Sequence, residues 1–449
     1  MRKINTVMNR AGKLVAIIGL LLIANVSKAQ FLMDMIDTST NVGKGMFSMY
    51  QKYDALRFSG YIQPQFQLAE SKGAASYAGG DFGARVNNRF MLRRGRFRID
   101  YGRYNKEQMP TVLFAFQFDG TERGVFIRDF YGRIFENKWN VLSFTGGMFA
   151  RPFGYEVNLS SSDRETPERG RMSQILMKTE RDLGVMASFS PQRKDHPLYF
   201  LRVDAGLFNG QGLAGPSDFD SHKDFIGRVS VRPIKLNARD WTVSGGVSCL
   251  YGGMEQFTPV VYKIHAAANG KEVFVRDSAA DNVGQIAPRH YYGADVQFRI
   301  PNGKGKGATA FRGEYIRGVQ TATAMESETP GTIPMENNRT APLYIRRFDG
   351  AYFYFLQHLG SDKHQVVLRY DWYDPNREVS GKEIGEAGRN LTRADIRYDT
   401  YGAGYVYYMN DHVKMILWYD MVVNESTDLE GYTSDLKDNI FTCRLQFRF

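Results

Sequence analysis

The sequence predicts an all-β protein, a 16-stranded antiparallel transmembrane β-barrel with an inward-folded extracellular loop. Three observations carry that expectation. Short runs alternate apolar and polar residues at period 2 from residue 57 to the end, the connections between them alternate long and short, and no apolar run beyond the first 29 residues approaches the length of a membrane helix. Mean hydropathy is −0.40 although aromatics make up 14 % of the chain. Strands give that combination when every second side chain faces a watery lumen.

Residues 1–29 read as an export signal. Arg2, Lys3, Arg10 and Lys13 precede the apolar run Leu14 to Ala24, and Ser27-Lys28-Ala29 supplies small residues for cleavage. Removing this segment takes away five basic residues, so the formal charge falls from +10 to +5. That imbalance is too mild to imply nucleic-acid binding. Residues 30–56 lack strand alternation and are expected to form an N-terminal periplasmic arm or plug, with the barrel over 57–449. Cys249 and Cys443 occupy apolar positions of strand-like runs and read as lipid-facing residues rather than a disulfide pair.

The first run, 57–68, places Phe58, Ile62, Phe66 and Leu68 opposite Gln63, Gln65 and Gln67. The second, about 88–101, is the most informative. Arg94, Arg96 and Arg98 fall on one face, with Gly95, Phe97 and Ile99 on the other, because successive strand side chains point to opposite faces. In a membrane barrel the arginines enter the lumen and the apolar face meets lipid. Runs at 111–119, 125–135 and 140–150 follow. Further runs are expected at 181–190, 198–208, 222–232, 241–252, 289–300, 308–318, 346–358, 364–373, 395–408, 412–421 and 439–449. Sixteen is an even count, as a closed barrel with both ends on one side requires.

The connections supply a separate check. Those after even-numbered strands are short, as periplasmic turns should be, whereas 69–87, 151–180, 209–221, 253–288, 319–345, 374–394 and 422–438 are long. Only the tight hairpin at 120–123 departs from the alternation. The last run ends in Phe449, which resembles the C-terminal signal read by the outer-membrane barrel assembly machinery.

Several collinear motifs in the first half resemble the phosphate-selective porin O and P family of Gram-negative outer membranes. They include Gly60-Tyr61-Ile62-Gln63-Pro64, Arg93-Arg94-Gly95-Arg96-Phe97, Ile127-Arg128-Asp129-Phe130-Tyr131 and Gly147 to Gly154 with the serine run after it. Arg181-Asp182-Leu183-Gly184-Val185, Gly206 to Gly210 and Lys223 to Arg228 continue the series. The second half matches in pattern alone. The resemblance implies a homotrimeric porin of the outer membrane, embedded in lipid, whose third extracellular connection narrows the pore. Here that connection is 151–180, carrying Arg151, Arg164, Arg169, Arg171 and Lys178. The resemblance further implies that Ser160, Ser161 and Ser162 donate hydroxyls to a passing anion, and that Asp129 is an acidic position near the constriction.

The chemistry expected is passive diffusion with charge selection. Arginine suits it, because its planar fork binds tetrahedral oxyanions and stays charged at any relevant pH. Arg94, Arg96, Arg98, Arg133, Arg228 and Arg232 are the expected lumen ladder, with Arg202, Arg299, Arg312 and Arg369 also opposite apolar neighbours. Inorganic anions are the expected solutes. Phosphate is a narrower expectation, since no lysine cluster stands at the expected constriction. Asp204, Asp295, Glu314 and Asp371 share the lumen faces, so a competing expectation is that arginines pair with carboxylates and stiffen the wall. A surface adhesin or scaffold with a closed pore, working through 253–288 and 319–345, is the alternative function. The scattered histidines suggest no metal site, and no cofactor or catalytic set is expected.

Overall fold

The structure is a computed structural model describing residues 56–449, apart from 108, 214–216, 237–238 and 268–269. The expected signal segment and residues 30–55 of the expected arm lie outside the described residues. Chain order begins β1 (Leu56–Ala69), β2 (Asn88–Tyr104), β3 (Pro110–Thr121), β4 (Gly124–Phe135) and β5 (Leu142–Ala150). It continues with β6 (Arg181–Phe189), β7 (Leu201–Phe208), β8 (Asp224–Lys235), β9 (Thr242–Glu255), β10 (Val261–Ala266) and β11 (Glu272–Asp277). The second half holds β12 (Ile286–Pro301), β13 (Ala308–Ala322), β14 (Met335–Glu336), β15 (Arg339–Thr340) and β16 (Leu343–His358). Finally come β17 (His364–Asp374), β18 (Tyr398–Tyr408), β19 (Val413–Asn424) and β20 (Ile440–Arg448).

Eighteen of these strands form one sheet, in which β10 and β11 are a hairpin on a long connection, leaving sixteen in the barrel wall. Closure is antiparallel, β1 against β20, from Tyr61↔Arg448 to Ala69↔Ile440. A closed sheet leaves no unpaired edge in the wall, the condition for strands to stand in hydrocarbon. Each expected run is a wall strand, and the long and short connections alternate as expected. The first strand starts at Leu56, one residue before the expected boundary.

The wall shows why the alternation is so regular. Outward positions such as Phe114, Phe130, Phe144, Val185, Leu207 and Val247 are exposed. Their inward neighbours, such as Gln117, Asp129, Thr145, Ser188 and Ser248, are buried. Cys249 and Cys443 are free and fall on the outward face of their strands.

Two features differ from expectation. The connection 253–288 is not irregular: β10 and β11 pair within it, and β10 runs parallel to the start of β16 from Val261↔Leu343 to Lys263↔Ile345. The lumen is also not uniformly polar. Phe208, Ile226, Leu250, Tyr291, Phe348, Tyr352 and Trp418 point inward and form one apolar cluster with Phe153, Met172, Ile175 and Met177 of the 151–180 connection. The aromatic residues on both faces of β16 follow from this, because one face meets the exterior and the other meets that connection.

Candidate functional site

The site starts with the turn that follows β5. Gly154 has φ +65°, and a Cβ there would lie 2.3 Å from a Glu314 carboxylate oxygen, so glycine alone fits this approach to β13. Its N–H donates to Ser248 Oγ at 3.0 Å, and the N–H groups of Tyr155 and Glu156 donate to Glu314 at 3.2 Å. Glu156 in turn accepts from the Gly170 N–H and from Tyr354 Oη. Asp371 accepts from the Arg171 N–H at 3.0 Å, where the helix Arg171–Leu176 begins. Inward-facing residues of β9, β13 and β17 therefore bind the backbone of one connection, and Tyr354 of β16 holds its Glu156 side chain.

On the opposite side the same connection meets the arginine strand. Glu168 accepts from Arg93 at 2.9 Å, Arg94 at 2.5 Å and Arg444 at 2.9 Å. Burial opposes the ionisation of Glu168, and these guanidinium groups outweigh it, holding the carboxyl well below the ordinary carboxylate range. Ser161 Oγ is 2.6 Å from Tyr61 Oη, and its carbonyl accepts from Gln63. Lys414 Nζ donates to the carbonyls of Ser162 at 2.7 Å and Arg164 at 2.8 Å, and Gln446 also reaches Ser162. Ser160 and Ser162 bond each other through their hydroxyls at 2.9 Å.

Between this turn and the wall lies a cavity of about 250 Å³. Its charged lining is Arg96, Arg98, Arg128, Arg164, Arg181 and Arg448 against Asp163 and Glu180, six guanidinium groups to two carboxylates. A second cavity of about 260 Å³ shares Arg98, Ala150, Asn158 and Arg181 with the first. It adds Arg133, Arg202 and Arg228 against Asp129 and Asp204. The two adjoin along the wall from β1 to β8.

Most of the arginines expected to form the ladder are ion-paired. Arg96 meets Asp119 at 3.0 Å, Arg98 meets Asp100 and Asp129, and Arg228 meets Asp295 at 2.7 Å. Asp129 also takes Arg181 at 2.8 Å. Arg133 has no carboxylate among the described residues: it donates to Thr145 Oγ1 at 2.8 Å and stands over the Tyr131 ring.

Three expected pore arginines are spent on backbone. Arg151 donates to the carbonyls of Thr179 and Gly210, and Arg169 to those of Ser173 and Met177. Arg232 reaches the carbonyls of Pro191 and Tyr199 at a short turn, away from both cavities. Period 2 gives a side chain's face and not its acceptor, which is why spacing places Arg232 with the ladder, whereas Arg151 and Arg169 are expected in the pore as residues of the 151–180 connection.

Arg164 is different. It is 3 % exposed, and among the described residues its Nε and Nη1 have no acceptor. Spacing did not single out Arg128 or Lys414. Arg128 is the extra residue of a β-bulge, since Gln117 pairs with Asp129 and Phe118 with Ile127. The bulge turns it inward to Glu180, where strict alternation would send it to lipid.

Comparisons with known proteins bear on the fold. No protein-family model matches the chain, and no curated protein matches it in sequence. Among solved structures, the outer membrane channel DcaP of Acinetobacter baumannii is similar at TM-score 0.51 and 11 % identity, over 88 % of this chain and 97 % of that one. A loop-deletion form of the Vibrio cholerae outer membrane protein OmpT gives TM-score 0.47 at 11 % identity, over 88 % and 99 %. A triple mutant of the Rhodopseudomonas blastica porin gives 0.42 at 10 %, over 88 % and 100 %. The likeness to DcaP is a likeness of fold. Location follows from the surface: a closed barrel with an apolar outer face crosses a bilayer many times, and the bacterial outer membrane is the bilayer built for such barrels. The chain is a multi-pass outer-membrane protein of the Gram-negative type.

Proposed function

We propose that the chain is a passive porin that prefers small anions, with the wall from β1 to β8 as the conducting side and 151–180 as the constriction. The observation that carries this is the first cavity, where six arginines face two carboxylates and the buried Arg164 keeps two N–H donors without acceptors. A buried donor left unsatisfied costs about 1–3 kcal/mol, more when charged, and an oxyanion passing the cavity relieves that cost. The hydroxyls of Ser160 and Ser162 border the same space and add neutral donors. Paired arginines hold the wall in shape, and the surplus sets the field. Binding must stay weak enough for release, and several spaced guanidinium groups serve that better than one deep site.

Phosphate as the favoured anion, the phosphate-selective porin O and P family, a homotrimer and recognition of Phe449 by the assembly machinery belong to the same proposal. The family resemblance of the motifs around Arg94, Gly154 and Arg228 supports them. The test is the zero-current potential in a planar bilayer under a KCl gradient, with phosphate then added stepwise. A chloride-side potential and falling chloride current with phosphate support the reading. A potential at zero or on the potassium side overturns the anion preference, and absence of channels favours the adhesin or scaffold alternative.

A further inference from the structure

The outward face carries an unusual combination on β7 to β13. Phe225, Val229, Val247, Cys249, Ala294 and Tyr315 line a groove of about 620 Å³ on the lipid side, almost wholly apolar. Small side chains at Cys249 and Ala294 form the depression, and larger ones rim it. Arg317 stands at its end nearer the long connections, in the exterior row Cys249↔Tyr292↔Arg317. Arg317 is exposed, and among the described residues it has no hydrogen bond or ion pair.

The cross-strand neighbour of Arg317 is Asp349, whose oxygens accept from Tyr315 Oη at 3.1 Å and from Trp372 Nε1 at 3.2 Å rather than from Arg317. One exterior row further toward the long connections, Tyr251 and His290 stack at 4.0 Å. The groove thus offers an apolar trough, then the free guanidinium of Arg317, then flat ring faces.

We propose that this groove holds an outer-leaflet lipid, its acyl chain in the trough and a headgroup phosphate on Arg317, and that the lipid is a phosphorylated glycolipid. Charge complementarity chooses the occupant. An uncharged acyl chain or a neighbouring apolar wall would fill the trough yet leave Arg317 unanswered, whereas a phosphate accepts the guanidinium fork directly. The position fits too, since basic residues at membrane interfaces draw anionic headgroups, and sugar rings lie well on the exposed Tyr251 and Tyr292 faces.

The experiment is native mass spectrometry of the detergent-purified full chain mixed with bis-phosphorylated lipid A, its dephosphorylated form, or phosphatidylglycerol. Wild type should retain bis-phosphorylated lipid A best. R317Q should retain it roughly tenfold less, the loss of one charge-assisted contact. R317K should keep most of the binding, A294F should lose it by filling the trough, and KCl conductance of all three should match wild type. Equal retention by wild type and R317Q overturns the phosphate contact. Equal retention of the dephosphorylated lipid or of phosphatidylglycerol overturns the choice of lipid. Protection of Cys249 from a lipid-soluble maleimide in an assembled oligomer, with no lipid retained, assigns the groove to a second copy instead.

Discussion

The two sides of the lumen are built from the same alternating strands and come out opposite in character. Along β1 to β8 the 151–180 connection stands off the wall and leaves two basic cavities. Along β16 to β19 it is pressed against the wall: Phe348, Tyr352 and Trp418 join Met172, Ile175 and Leu176 in one apolar cluster, and the cavity on that side is only about 30 Å³. Arginines are present on both sides. On the filled side Arg369 is ion-paired with both Asp371 and Asp420. The difference teaches that a lumen's selectivity follows from which arginines the inserted segment leaves free, not from how many the wall carries.

The most disruptive way to break this contrast is to remove Glu168, which ties the connection to Arg93, Arg94 and Arg444. E168A leaves buried guanidinium groups unpaired and should cost about 3–5 kcal/mol. Proteolysis of 151–180 in the purified protein should accelerate, and single-channel current should become larger and noisier. A change confined to the filled side comes next. Gly402 and Gly404 make room for the Trp418 ring, since a Cβ at either would lie 2.3 or 2.2 Å from it. W418A should therefore cost about 3–5 kcal/mol in thermal stability, and the sign of the zero-current potential should not change.

On the open side, R164Q should move the zero-current potential toward zero and raise the phosphate concentration for half-block roughly tenfold, with little change in melting temperature. K414M removes the ammonium that grips the carbonyls of Ser162 and Arg164. It should widen the spread of conductance levels at a cost of about 1.5–3 kcal/mol, and K414R should restore a single level. The smallest effect concerns pH. Glu168 titrates well below the ordinary carboxylate value, so its stabilising contribution is complete above about pH 4.3 and is lost only as pH falls through its depressed value. Protection of 151–180 from protease should stay flat from pH 7 to 5, and a loss within that window would detach Glu168 from the role given to it.

Much of this was legible in the chain. Arg94, Arg96 and Arg98 declare their shared face by spacing, and the alternation of connection lengths gives the topology before any contact is known. The β10–β11 hairpin was legible too, because VYKIHA and EVFVRD flank the dipeptide Asn269-Gly270, a strong hairpin signal, but inside a long connection it read as loop. Arg128 was not legible. A bulge adds one residue to one strand, and nothing in a period-2 pattern marks where it falls.

By itself, then, the sequence determined the barrel, its strand count and the inward column of arginines, because strand pleating converts residue spacing directly into facing. Only the tertiary structure decided the partners. Whether an inward arginine meets Asp119, a backbone carbonyl or an open cavity depends on residues far away in sequence, brought there by a connection whose path is set by Gly154, Glu314 and Glu168 together. Charge placement is local chemistry, and charge compensation is a property of the closed fold.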